Sequence, residues 1–167
     1  MVMDYTGTWD IVSSVNFEGY MLALGIDFAT RKIAALLKPQ KVIKQDGDHF
    51  SIRTLTTFRN YECAFKVGEE YKEETKGMDN RTCQSVVNWH QDKLVCVQRG
   101  EKKNRGWTHW IEGDHLHLQE YSKSFSDCEG PRPDFFLHYD SSSKSNKSSL
   151  FTVVKDFLYD ENTLLFL

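Results

Sequence analysis

"RGWTHWIEGDHLHL", residues 105–118, alternates polar and apolar side chains on both sides of a Gly113-Asp114 pair. Period-two alternation marks a strand with one buried face, and a Gly-containing pair between two such runs suits a tight hairpin. With Gly113 and Asp114 at its centre, Glu112 opposes His115, Ile111 opposes Leu116, Trp110 opposes His117 and His109 opposes Leu118. Trp107, His109, Ile111, Leu116 and Leu118 then share an apolar, inward face; Thr108, Trp110, Glu112, His115 and His117 share the outward one. Parity separates His109 from the other two histidines and excludes a three-histidine zinc site in this register. His115 and His117 could hold a metal weakly at the surface, but they read as solvated polar residues. His109 is left as a polar group on an apolar face, either a hydrogen-bonded core histidine or a group that meets a ligand.

The same pattern extends upstream. "KVIKQDGDHFSIRTLTTF" (41–58) carries an Asp46-Gly47 turn between alternating runs, and "RNYECAFKV" (59–67) puts Tyr61, Cys63, Phe65 and Val67 on one face. "TGTWDIVSS", "EEYKE", "RTCQSVVNW" and "KLVCVQRG" read as further strands, with turns at "VGEE", "GMDN", "HQD" and "GEKKN". Short strands at such regular spacing predict an all-β, up-and-down antiparallel sandwich or barrel.

One segment has helical period. In "NFEGYMLALGIDFATRKIAALLKP" (16–39), Phe17, Tyr20, Met21 and Leu24 form one stripe, and Ala29, Ile33, Leu36 and Leu37 a second. Asn16 and Asp27 are expected N-caps, Gly25 a stop, and Pro39 the end of the pair. Without a dense basic stripe this helix-turn-helix is a poor DNA reader; it suits a lid on a barrel mouth.

Composition narrows the function. The 167 residues fit one domain with a real core, and a net charge of -3 argues against a nucleic-acid partner. No apolar run reaches the roughly 20 residues of a membrane span, and the N-terminus lacks the basic and apolar regions of a signal peptide. Cys63, Cys83, Cys96 and Cys128 contain no C-x-x-C pair and read as reduced thiols of a cytoplasmic protein. No metal site, no G-x-S-x-G elbow and no nucleophile–base pair can be identified, so no enzymatic activity is expected.

Beyond about Glu120 the text changes. "YSKSFSDCEGPRPDFFLHYD" is punctuated by Pro, Gly and Ser, and "SSSKSNKSS" is low-complexity polar sequence expected to be disordered. Only Leu150–Leu158 reads as strongly strand-like. The expected organisation is a barrel over 1–120, with its lid helices at about 16–37, and a partly disordered tail over 121–167.

"GTWDIVSSVNFEGY" resembles the N-terminal signature of the intracellular lipid-binding (fatty-acid-binding) proteins. "LALGIDFATRKIAALLKPQK", "IRTLTTFRNY", "VGEEY" and "GEKKNRGWTHWIEGD" are similar to its cellular retinol-binding branch, most closely the type IV subgroup. The resemblance covers roughly residues 4–119. It implies a ten-stranded antiparallel barrel around a ligand cavity, capped by a helix-turn-helix. Because the tail departs from the family pattern, the final strand is expected to be missing or replaced, leaving the first and ninth strands with open edges and the tail mobile beyond about Gln119.

The resemblance also implies roles. Lys41 matches the lysine near the retinol hydroxyl, and His109 the position that hydrogen-bonds it. Trp107, Phe17, Tyr20, Ala34, Leu37, Phe58 and Tyr61 match residues lining the hydrocarbon part of the cavity. Cys63 and Met78 match other wall positions, and Arg59 an interior polar one. A neutral imidazole suits an alcohol, whereas a buried carboxylate requires a paired cation. The implied function is a monomeric carrier of all-trans-retinol that needs no cofactor and makes transient contact with membranes and retinoid-metabolising enzymes. The alternatives are a fatty-acid carrier, a binding-defective splice-type variant, and an interaction module acting through the new tail.

Overall fold

The computed structural model describes residues 3–23, 26–57, 60–74, 81–100, 105–122 and 135–141. Ten strands and two short helices follow one another as β1 (Gly7–Val15), α1 (Phe17–Ala23), α2 (Phe28–Ala34), β2 (Gln40–Asp46), β3 (His49–Leu55), β4 (Tyr61–Lys66), β5 (Glu70–Glu74), β6 (Thr82–His90), β7 (Lys93–Gly100), β8 (Arg105–Glu112), β9 (His115–Ser122) and β10 (Phe135–Ser141). The strands make one antiparallel sheet in the order β4-β3-β2-β1-β10-β9-β8-β7-β6-β5. Sequential neighbours pair except β4 and β5, which end the sheet, and β10 also pairs with β1, as a nearly closed up-and-down barrel requires.

Alternation decides which side chains fill the interior. Ile43, Phe50, Ile52, Phe65, Val87, Leu94, Leu116, Leu118, Leu137 and Tyr139 are buried in one core, with Tyr5 and Trp9. The β8–β9 register is the one the alternation predicts, with Glu112 opposite His115 and His109 opposite Leu118. Gly113 supplies the left-handed φ of 61° that the turn needs. In the β2–β3 hairpin Asp46 pairs with His49, so the two turn residues are Gly47 and Asp48, one position later than expected. Gly47 takes the positive φ, 58°, and thereby fixes the frame.

Closure comes from a segment that the sequence did not mark. β10 pairs along β1, with Tyr139 opposite Ile11, and along β9, with Leu137 opposite Leu118. The final strand is therefore replaced rather than missing, and the expectation of a mobile chain beyond Gln119 does not hold for Phe135–Ser141. Nor does the barrel stop near residue 120. Leu137 and Tyr139 turn inward while His138 and Asp140 remain half-buried outside. Pro131 and Pro133 lie outside the described residues. Leu150–Leu158 lies outside the described residues.

The lid differs from its predicted stripe. Asp27 caps α2, accepting from the Thr30 amide, and Thr30 and Ala34 are the buried residues. Ala29 is exposed within α2, whose buried side runs through Thr30 and Ala34, and Leu36 is exposed because α2 ends at Ala34 and the chain turns before it. In α1, Tyr20 and Met21 face inward, and Gly19 leaves room for the Asn16 side chain, which a Cβ would strike. Leu24 and Gly25 lie outside the described residues. Phe17 packs against both the barrel core and the Met21–Ile26–Ala34 cluster, joining lid to barrel.

Candidate ligand-binding site

Lys41 of β2 and His109 of β8 are buried polar side chains on the interior wall. Lys41 is 8% exposed; its Nζ donates to Thr54 Oγ1 on β3 at 3.2 Å and lies 5.8 Å from the centroid of the Tyr139 ring. Burial lowers the pKa of its ammonium group, an effect opposed by the charge of Glu120. His109 is 3% exposed, and neither of its ring nitrogens has a hydrogen-bond partner among the described residues. Burial, and then the charge of Lys41, hold His109 well below the usual histidine range, so the imidazole is neutral. Its strand neighbours explain the isolation: Leu94 lies opposite it on β7 and Leu118 on β9, both buried and apolar.

Buried polar atoms without partners are uncommon and cost roughly 1–3 kcal/mol each. His109 therefore holds a hydrogen-bonding capacity that the described residues do not use. A neutral imidazole offers one donor and one acceptor, a match for a hydroxyl group.

The remaining predicted wall residues are spread around this pair. Trp107 is half-buried on the same face of β8, tilted against Phe65 at 6.0 Å between centroids. Tyr20 is buried beneath the lid, where burial and the charge of Glu120 raise its phenol pKa. Phe17 and Leu37 are half-buried, and Ala34 is fully within the lid cluster. On β4, Cys63 Sγ is 3.2 Å from the Tyr71 hydroxyl on β5, and burial pushes its thiol up to about 12. Tyr61 donates to Glu73 Oε1. Phe58, Arg59 and Met78 lie outside the described residues.

A second polar group, which sequence reading missed, surrounds Glu73. Ser85 Oγ donates to Glu73 Oε2 at 2.6 Å and Gln98 Nε2 donates to the same oxygen at 2.8 Å. Arg81 Nη2 in turn donates to Gln98 Oε1 at 3.3 Å. Strand parity carried the signal: Tyr71 and Glu73, and Cys83 and Ser85, alternate in phase with buried neighbours. With its oxygens already engaged, Glu73 is a buried carboxylate that disfavours a second carboxylate close by. Tyr139, whose ring lies beside the Lys41 amine, was missed because it belongs to the replaced strand.

No helix among the described residues is long and apolar enough to cross a membrane. Residues 6–128 match the family model described as lipocalin / cytosolic fatty-acid binding protein family. The chain is 66% identical over 130 residues to retinoid-binding protein 7 of Mus musculus, an alignment covering 78% of this chain and 92% of the relative. It is 57% identical over 119 residues to retinol-binding protein 1 of Homo sapiens, covering 71% and 88%. The solved structure "Human cRBP IV" superposes with a TM-score of 0.75 at 58% identity, over 84% of this chain and 99% of that one.

Proposed function

The chain belongs to the lipocalin / cytosolic fatty-acid binding protein family, and from that premise we propose that it is a non-enzymatic cytoplasmic carrier of all-trans-retinol. The observation that carries this reading is His109, a neutral, buried imidazole with both nitrogens unpartnered among the described residues. Retinol has a long apolar body and one hydroxyl. Burying the body contributes at about 25 cal/mol per Å² of apolar area. Leaving the hydroxyl unpaired would cost roughly 1–3 kcal/mol, which a bond to His109 offsets. Lys41 faces the same region, and Trp107, Tyr20, Tyr61 and Cys63 supply the surrounding wall. The names of the retinol- and retinoid-binding relatives point the same way.

Delivery involves the lid. Leu22, Phe28 and Leu36 are exposed on it, at 55%, 64% and 69%. Lys32 Nζ lies 5.2 Å from the centroid of the Phe28 ring and Arg31 Cζ lies 5.7 Å from it. An apolar patch edged by cations suits transient contact with an anionic membrane, where retinol is loaded and released.

The test is a titration with all-trans-retinol followed by quenching of tryptophan fluorescence, with a long-chain fatty acid as competitor. One saturable site per chain, not displaced by the fatty acid, is the expected result. Preferential binding of the fatty acid would replace this reading with a fatty-acid carrier, and absence of both would remove the carrier role.

A further inference from the structure

On the outer face of the sheet, opposite in parity to His109, Trp110 of β8 lies opposite His117 of β9, and His117 lies opposite His138 of β10. The two histidines present Nδ1 to Nδ1 at 2.6 Å. His117 is held on its other sides: its ring stacks on Trp110, with centroids 5.0 Å apart and planes at 12°, and its Nε2 lies 3.9 Å from Glu112 Oε2. The His117 side chain is 15% exposed and His138 is half-buried, so solvent reaches the pair.

Two imidazole nitrogens at this separation share one proton, one ring donating and the other accepting. A position between two such lone pairs also suits a metal ion. We propose that His117 and His138 chelate one divalent late transition-metal ion through their Nδ1 atoms, with water completing the coordination sphere, and that the ion fastens β10 to β9. Zinc, nickel and copper are the ions for which imidazole is the fitting ligand.

Three features favour the site. Glu112 Oε2, 3.9 Å from His117 Nε2 on an exposed side chain, can close by a side-chain rotation to accept from the Nε2–H of a metal-bound His117, the outer-shell arrangement that orients metal-ligating histidines. His117 and His138 turn their Nδ1 atoms toward one another at 2.6 Å, so both donor atoms already face one point. Trp110 fixes the plane of His117, so adjustment falls on His138. Metal–nitrogen bonds of about 2.0–2.1 Å need the nitrogens about 2.9–3.4 Å apart. From 2.6 Å this takes an opening of about 0.3–0.8 Å, with the His138 ring turned so that both lone pairs meet at the ion. The shared Nδ1 proton moves to Nε2 of its own ring through solvent, so binding to the neutral pair releases no net proton. No group of three or more His, Cys, Asp or Glu side chains among the described residues forms a metal site, so the ion has two protein ligands.

The experiment uses the full chain, stripped of metal with a chelator and titrated separately with NiCl2 and ZnCl2. Calorimetry gives stoichiometry, and nitrogen-15 NMR of the imidazoles reports which ring atoms bind. One ion per chain, Nδ1 shifts at His117 and His138, and a melting temperature that rises with metal are expected. His117→Gln and His138→Asn should each weaken nickel binding by about tenfold or more, and Glu112→Gln by a smaller factor. His115→Asn, one row along the sheet, should leave it within about twofold. Circular dichroism verifies that each variant is folded. Binding that survives both the His117 and His138 substitutions, or imidazole resonances of the unaltered chain that stay fixed at millimolar metal, overturns the proposal.

Discussion

Trp107 meets His109 edge to face, with ring centroids 4.7 Å apart and planes at 77°. The indole restricts the imidazole on its own strand, while Leu94 and Leu118 restrict it from the strands on either side. Nothing polar competes for its nitrogens among the described residues. The ring is thus pre-oriented, and a ligand need not supply the ordering cost.

The first prediction concerns ligand choice. His109→Gln should retain retinol, because an amide also donates and accepts. His109→Leu should weaken binding by roughly 1–3 kcal/mol while stabilising the empty protein, since it removes two unpartnered buried atoms. His109→Arg should turn the preference toward carboxylates. Fluorescence titration of the three variants reads this out, and equal retinol affinities would remove the anchor role.

Stability should depend on pH with a definite sign. His109 stays neutral in the folded chain, its pKa depressed by burial and by Lys41, whereas an unfolded histidine titrates near about 6.5. As pH falls below that value the unfolded chain gains a proton that the folded chain refuses. Stability must then decline between about pH 7 and pH 5. His117, depressed chiefly by burial, adds in the same direction. Urea midpoints for the unaltered chain and His109→Gln should show a flatter decline in the variant; identical slopes would mean that His109 takes up its proton in the folded state.

Thiol chemistry reports on the wall. Cys63 is buried beside the Tyr71 hydroxyl with its pKa pushed up to about 12, so little reactive thiolate exists at neutral pH. Its labelling by a maleimide should be slow, and slower still with retinol bound. Rapid modification in the bound protein would place Cys63 outside the cavity.

Barrel closure draws on the buried Leu137 and Tyr139 of β10. Tyr139 is 1% exposed and Leu137 6%. Truncating either to alanine should cost about 2–5 kcal/mol, read from denaturant midpoints. Hydrogen exchange at the amides of Leu137 and Tyr139 should be as slow as in β9; exchange at the rate of an unstructured chain would contradict the pairing.

Lid exposure makes a kinetic prediction. Phe28→Ser and Lys32→Glu should slow retinol transfer to anionic vesicles and leave affinity unchanged. Added salt should narrow the difference for the lysine variant alone, because screening weakens charge contacts and not apolar ones. Transfer unaffected by either change would move membrane contact away from the lid.

Much of this was legible in the chain. Alternation around Gly113 predicts the β8–β9 register residue by residue, because a one-position slip would turn every apolar side chain outward. Asp27 announces the start of α2 through its capping geometry. β10 stayed hidden because its short apolar run, with Leu137 and Tyr139 buried, sits in a segment punctuated by Pro, Ser and Asp. The Glu73 group stayed hidden for another reason: buried charges are recognisable only when their partners, here on β4, β6 and β7, are brought together. The α2 stripe was misjudged because helical period does not reveal where a helix stops.

β4 and β5 are the only neighbours in the barrel without a backbone ladder among the described residues. Side chains span the junction instead: Tyr61 to Glu73, Cys63 to Tyr71, and Phe65 stacked on Tyr71 at 5.8 Å. Nine junctions are zipped at the fixed spacing that peptide hydrogen bonds impose, about 4.8 Å. The tenth is laced by rotatable groups. The girth of the vessel is accordingly adjustable along one line, and a bulky cargo can be accommodated by loosening a few laces while every peptide bond pair elsewhere keeps its grip.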